Sequence, residues 1–213
     1  MIALIDYGAG NLTSVKKALA AVGADVFVPS RPEDLAAVRG VIVPGVGHFG
    51  ATRALDAGWT SMIRSRVDDG CPLLGICLGM QWLYESSDEA PELKGLGVLP
   101  GRVVRLRGGA NQKAASGSSR SWPIKVPHVG WNSVTLVREA TVVAGVSSGS
   151  QVYFTHSYVV PVTTDTAANT EHGETFAAIV QRGPVAGVQF HPEKSGDVGL
   201  QVLRNFVLLT SHF

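Results

Sequence analysis

Cysteine is nearly absent: only Cys71 and Cys77 occur in 213 residues. Two cysteines cannot build a disulfide framework, so a reducing cytoplasm suits the chain better than an oxidising compartment. Charge is scarce too. Charged residues make up 16%, and the two signs nearly cancel to a net +1. No strong global field therefore draws the chain to nucleic acid or an anionic membrane. Any run of about 18 apolar residues is missing as well, so no membrane-spanning helix is expected. The opening Met1-Ile2-Ala3-Leu4-Ile5 has no basic stretch before it and reads as a strand rather than a signal peptide. No internal repeat is present. What is abundant is apolar material, 45% of the residues, enough for a single domain over 1–213 with one core.

The first half alternates short apolar runs with helical periodicity. Ile2 to Ile5, Asp25 to Val28, Val41 to Val43 and Leu73 to Ile76 read as strands. Between and after them, helices are expected from Leu12 to Val22, Pro32 to Val38, Gly50 to Val67 and Leu78 to Glu85, with Asn11 capping the first and Gly23 ending it. Unbroken Val/Ile/Leu strands imply a sheet covered on both faces, hence parallel, and right-handed crossovers make it a doubly wound α/β fold. The second half adds strands at Val98 to Leu106, Val134 to Val137, Val152 to Val160, Thr175 to Gln181 and Val185 to Phe190. Arg182-Gly183-Pro184 suits a hairpin turn between the last two, so antiparallel strands extend the parallel sheet. A helix from about Asp197 to Leu209 closes the chain, and Gly108 to Ser121 reads as a mobile loop.

Three segments carry chemistry. Gly75-Ile76-Cys77-Leu78-Gly79 places a thiol between two glycines at a strand end and helix start. A sharp nucleophile elbow needs small neighbours, and a helix N-terminus lowers a thiol pKa. In Val188-Gln189-Phe190-His191-Pro192-Glu193, a histidine and a glutamate two apart at a strand end can face one way. That arrangement suits an imidazole base oriented by a carboxylate. Pro44-Gly45-Val46-Gly47 follows the third strand. Backbone N–H groups at Val46 and Gly47, with that of Leu78, are candidate oxyanion donors. Cys71, before Pro72, reads as a buried structural thiol.

Taken in this order, the three segments resemble the class I (triad) glutamine amidotransferases. Pro44-Gly-Val-Gly-His-Phe-Gly50, Gly75-Ile-Cys-Leu-Gly-Met-Gln81, Pro127-His-Val-Gly-Trp-Asn132, Tyr153-Phe-Thr-His-Ser-Tyr158 and Gly187-Val-Gln-Phe-His-Pro-Glu-Lys-Ser-Gly196 are similar, more narrowly, to the glutaminase subunits of imidazole glycerol phosphate synthase. The resemblance runs from residue 2 to about 209, and the loop 108–121 looks longer than in those proteins.

That resemblance implies a Cys77–His191–Glu193 triad that hydrolyses glutamine through a thioester, with no metal and no cofactor. It implies glutamine binding by Gln81 and by the segment His156, Ser157 and Tyr158. It also implies a heterodimer with a (β/α)8-barrel synthase subunit that uses the ammonia in histidine biosynthesis. Trp131, Tyr153 and Lys194 match positions that face this partner, and His128 and Asn11 are expected beside them. Such subunits are nearly silent until the partner holds its ligand, and the two glycines around Val46 would permit the peptide reorientation this requires. Other readings are a glutaminase feeding a different acceptor, a silent binding module of the same fold, or a cysteine peptidase. Gln81 argues against the last.

Overall fold

The computed structural model describes residues 1–107 and 124–213, with the backbone of two short segments between them, Asn111–Lys113 and Ser121–Pro123. Its strands are β1 (Ile2–Leu4), β2 (Val26–Phe27), β3 (Gly40–Val43), β4 (Leu73–Ile76), β5 (Ser86–Ser87), β6 (Arg102–Arg105), β7 (Asn111–Lys113) and β8 (Ser121–Pro123). The second half adds β9 (His128–Ser133), β10 (Thr135–Leu136), β11 (Gln151–His156), β12 (Tyr158–Val159), β13 (Thr166–His172), β14 (Glu174–Arg182) and β15 (Val185–Val188). Four α-helices accompany them: α1 (Leu12–Ala21), α2 (Ala57–Asp68), α3 (Leu78–Trp82) and α4 (Gly196–Ser211).

Eight strands form the central sheet in the order β10-β13-β14-β15-β4-β3-β1-β2. Neighbours from β15 to β2 pair in parallel, and β14, β13 and β10 extend the sheet with antiparallel pairing. Strand alternation divides the core in two. Ile2, Leu4, Ile42, Leu74 and Ile76 pack on one face with Leu19 of α1 and Phe206 of α4. Ala3, Ile5, Val41, Val43 and Leu73 pack on the other with Ile63 of α2 and Trp82 of α3. This is the doubly wound, mostly parallel sheet expected from the sequence, with the expected antiparallel extension. Among the described residues, no helix is long and apolar enough to cross a membrane.

Several elements differ from expectation for local reasons. The helix expected over 50–67 is a 3-10 turn, Phe49–Ala54, followed by α2. Asp56 separates them because its carboxylate accepts from Gly58 N (2.9 Å) and Trp59 N (3.2 Å), which starts a new helix. The helix expected to reach Glu85 stops at Trp82. The strand expected over 152–160 breaks at Ser157 into β11 and β12. β13 has no strand pattern in its sequence, because Thr166-Ala-Ala-Asn-Thr-Glu-His172 lacks apolar alternation. It is held by its ladder with β14, and Thr170 Oγ1 donates to Ser133 O at 2.7 Å. The expected loop at 108–121 falls mostly outside the described residues, although β7 and β8 pair there as antiparallel strands.

Candidate active site

β3, β4 and β15 are adjacent and parallel, so their C-terminal ends meet on one edge of the sheet. Cys77 follows β4 with φ 53 and ψ −106, the only non-glycine residue at positive φ among those described. Such a conformation costs on the order of 1–3 kcal/mol and persists only where its surroundings enforce it. The enforcement is visible. A Cβ at Gly75 would lie 2.6 Å from Gly79 O, and one at Gly79 would run into the Val43 carbonyl. Cys77 N donates to Val188 O at 2.7 Å, tying the elbow to β15. Cys77 is buried, with its sulfur 3.9 Å from Thr155 O and 3.7 Å from Gln189 Nε2.

His191 follows β15, and its N–H donates to Tyr153 O at 2.9 Å. Its Nδ1 meets Glu193 Oε1 at 2.8 Å, with both side chains almost wholly buried. Ser195 clamps the loop: its hydroxyl donates to His191 O (2.7 Å) and accepts from Tyr153 N (3.0 Å). Among the described residues, His191 Nε2 has no hydrogen-bond partner, so this ring nitrogen is open. Burial alone would lower the His191 pKa. The Cys77 side chain, and after it the Glu193 carboxylate, outweigh burial and raise it from 6.5 to about 10. The site therefore favours the imidazolium form of His191. Cys71 is no competitor, because burial pushes its thiol up and it rests against Val38 O at 3.7 Å.

A cavity of about 260 Å³ opens over Cys77, and Val46, Gly47, Leu78, Gln81, His156, Ser157 and Tyr158 all line it. Gln81 lies one turn beyond Cys77 on α3, where its amide donates to Tyr158 O (3.0 Å) and Gln189 Oε1 (3.2 Å). Two further residues carry no local sequence signal for their position. Glu89 supplies the one carboxylate among the lining residues. Gln189, inside the His191 segment, donates to the Cys77 sulfur and accepts from Gln81. The Leu78 N–H does not point into open space. It donates to Gly45 O at 3.3 Å, so this N–H is not free to meet a bound oxyanion in this conformation.

On the outer side, β9 pairs antiparallel with β11 and sets Trp131 opposite Tyr153. Trp131 is 57% exposed, and its ring meets Tyr153 edge-on at 6.1 Å. Lys194 Nζ lies 5.6 Å from the same Tyr153 ring. These three form one surface. Asn11 caps α1 by accepting from Ser14 N at 3.2 Å, and shares a narrow cleft of about 30 Å³ with Lys194, His191 and Glu193. His128 does not join that surface. Strand alternation turns it inward, where it is 3% exposed and stacked on Phe154 and His172.

A parallel-sheet edge carrying a strained cysteine and a buried His–Glu pair defines the class I amidotransferase arrangement. The family model "Glutamine amidotransferase class-I" matches residues 3–209, and the chain belongs to that family. Within it, the chain is 47% identical over 211 residues to imidazole glycerol phosphate synthase subunit HisH of Geobacillus thermodenitrificans, covering 97% of this chain and 95% of that one. It is 41% identical over 208 residues to the HisH subunit of Methanothermobacter thermautotrophicus, covering 97% and 98%. Among solved structures, a glutamine amidotransferase shares the fold at TM-score 0.72 and 23% identity, covering 99% of this chain and all of that one.

Proposed function

We propose that this chain is the glutaminase subunit of imidazole glycerol phosphate synthase, hydrolysing glutamine to glutamate and ammonia for histidine biosynthesis. The observation that carries the reading is the Cys77 elbow lining a cavity of amino-acid size, on the same sheet edge as the buried His191–Glu193 pair and near enough for the Cys77 side chain to raise the His191 pKa. The HisH relatives supply the acceptor reaction by analogy.

Glu89 receives the α-ammonium group of glutamine, and the His156–Tyr158 segment holds its amino-acid end. Gln81 grips the substrate from the helix. The Cys77 sulfur attacks the side-chain amide carbon, forming a C–S bond and an oxyanion. The imidazolium of His191 gives its proton to the amide nitrogen, the C–N bond breaks, and ammonia leaves. Water then attacks the thioester, with His191 taking its proton, and glutamate departs as the C–S bond breaks. Glu193 holds the ring and offsets its positive charge throughout. Free thiol chemistry of this kind suits a reducing cytoplasm.

In the present conformation the Leu78 N–H is occupied by Gly45 O, so the isolated subunit is expected to hydrolyse glutamine slowly. Gly47, at φ +109, gives the segment the freedom to reorient and present an N–H to the oxyanion. The partner is a (β/α)8-barrel synthase subunit docked as a heterodimer against Trp131, Tyr153 and Lys194. The narrow cleft lined by Asn11, Lys194, His191 and Glu193 is the route we assign to ammonia toward that side.

Cys77→Ala tests the reading in the assembled synthase. Glutamine-dependent turnover should disappear, while turnover with free ammonium and binding of the partner persist. Glutamine-dependent turnover surviving in this variant would remove Cys77 as the nucleophile.

A further inference from the structure

Two buried imidazoles lie between the cavity and the exposed face of β9, and the chemistry above gives their rings no task. His128 and His156 are register partners across the β9–β11 pair. His128 Nδ1 lies 3.1 Å from His156 Nε2, and His156 Nδ1 lies 3.1 Å from Tyr158 O. At the other end, Asn132 Nδ2 lies 3.3 Å from His128 Nε2.

The polarity of this chain is determined. A carbonyl oxygen only accepts, so His156 Nδ1 carries the proton it donates to Tyr158 O. Burial, with the neighbouring histidines adding to it, lowers both rings from 6.5 to about 3, so each is neutral and has one donor and one acceptor. His156 Nε2 is then an acceptor, and His128 Nδ1 must donate to it. His128 Nε2 in turn accepts from Asn132. Asn132 cannot be reversed, because its Nδ2 also donates to Glu171 O (2.8 Å) and its Oδ1 accepts from Ser133 N (2.8 Å). Both histidines are held as Nδ1–H tautomers.

The receiving end is the cavity wall. Tyr158 O accepts from His156 and from Gln81 Nε2, so one carbonyl joins the histidine chain to the helix behind Cys77. The sending end is a strand whose alternate residues, Val129 and Trp131, are 56% and 57% exposed. We propose that the hydrogen-bond chain Asn132–His128–His156–Tyr158 is a positioning device that sets the glutamine-binding wall and couples it to the outer strand β9. Asn132 and His128 are positioning residues that reach the cavity only through His156. Their effect on glutamine rests on the glutaminase reading; their tautomers do not.

The first test is nitrogen NMR of the imidazole rings in the free chain. Both His128 and His156 should be protonated at Nδ1 and bare at Nε2; an Nε2–H form of either overturns the chain. The second test is glutamine hydrolysis by the complex with its synthase partner. His128→Phe keeps the stacked ring and removes both nitrogens, stranding His156 Nε2. The Michaelis constant for glutamine should rise about 10-fold, the factor given by roughly 1.4 kcal/mol, with kcat within about 3-fold. His128→Asn, whose amide can still donate toward His156, should recover most of the loss. Asn132→Asp leaves the ring stack intact and replaces the donor with an acceptor. It should turn His128 to the Nε2–H form and raise the Michaelis constant too, and it decides the matter alone if His128→Phe does not fold. Unchanged Michaelis constants in the folded variants, or a fall confined to kcat, overturn the proposal. Failure of the glutaminase reading looks different: the unaltered complex would release no ammonia from glutamine while the tautomers stood as derived.

Discussion

At Cys77 the backbone is strained because the residues two away on either side have no room for a side chain. All of those residues are contiguous, which is why the elbow is legible in five letters of sequence. The His191–Glu193 pair is legible for the same reason: two residues apart, they meet at 2.8 Å through a local turn. Glu193→Gln should lower the His191 pKa from its value near 10 and reduce kcat on the order of 100-fold or more, because the charge and acceptor that orient the ring are lost. An NMR titration of His191 beside the kinetics checks both; an unmoved titration midpoint would show that Cys77 alone sets it. Glu89 and Gln189 were not legible as site residues. A glutamate in the turn after β5 and a glutamine just past β15 have no local mark, and only packing turns them toward the cavity.

Among the elements, the apolar strands of the first half were readable because burial on both faces demands unbroken Val, Ile and Leu. β9 and β13 were not. Their partners, β11 and β14, supply the ladders that hold them, so polar and small residues suffice. The start of α2 depends on one side chain. Asp56→Ala removes the cap from Gly58 N and Trp59 N and should destabilise the fold by about 1 kcal/mol without altering glutamine hydrolysis. Urea unfolding measures the first part and a kinetic assay the second. An equal loss in both would place α2 closer to the site than the structure does.

For the whole molecule, pH acts through histidines shifted in opposite directions. His128 and His156 fall to about 3 when folded, against about 6.5 unfolded, so the unfolded chain binds more protons between those values. Their stability is complete above pH 6.5 and declines as pH falls toward 3. His191 is raised to about 10, so its stability is complete below 6.5 and is lost as pH climbs through 10. Stability should therefore fall on both sides of neutrality. Each depressed histidine steepens the acid limb by up to about 1.4 kcal/mol per pH unit. His128→Phe should make that limb shallower by one such contribution in urea unfolding between pH 4 and 6. Identical slopes in both proteins would mean that His128 is not held neutral.

The sequence by itself determined the features written into short stretches: the alternation that makes a covered parallel sheet, the glycines that shape the elbow, and the His–Pro–Glu turn. Tertiary structure decided what meets across distance. It brought residues 77 and 191 to one sheet edge through the parallel pairing of β4 and β15, turned His128 inward, and closed the Leu78 N–H with Gly45 O. The division follows from range. Backbone sterics and periodicity act between near neighbours, whereas burial, hydrogen-bond partners and shifted proton affinities exist only after remote segments have packed together.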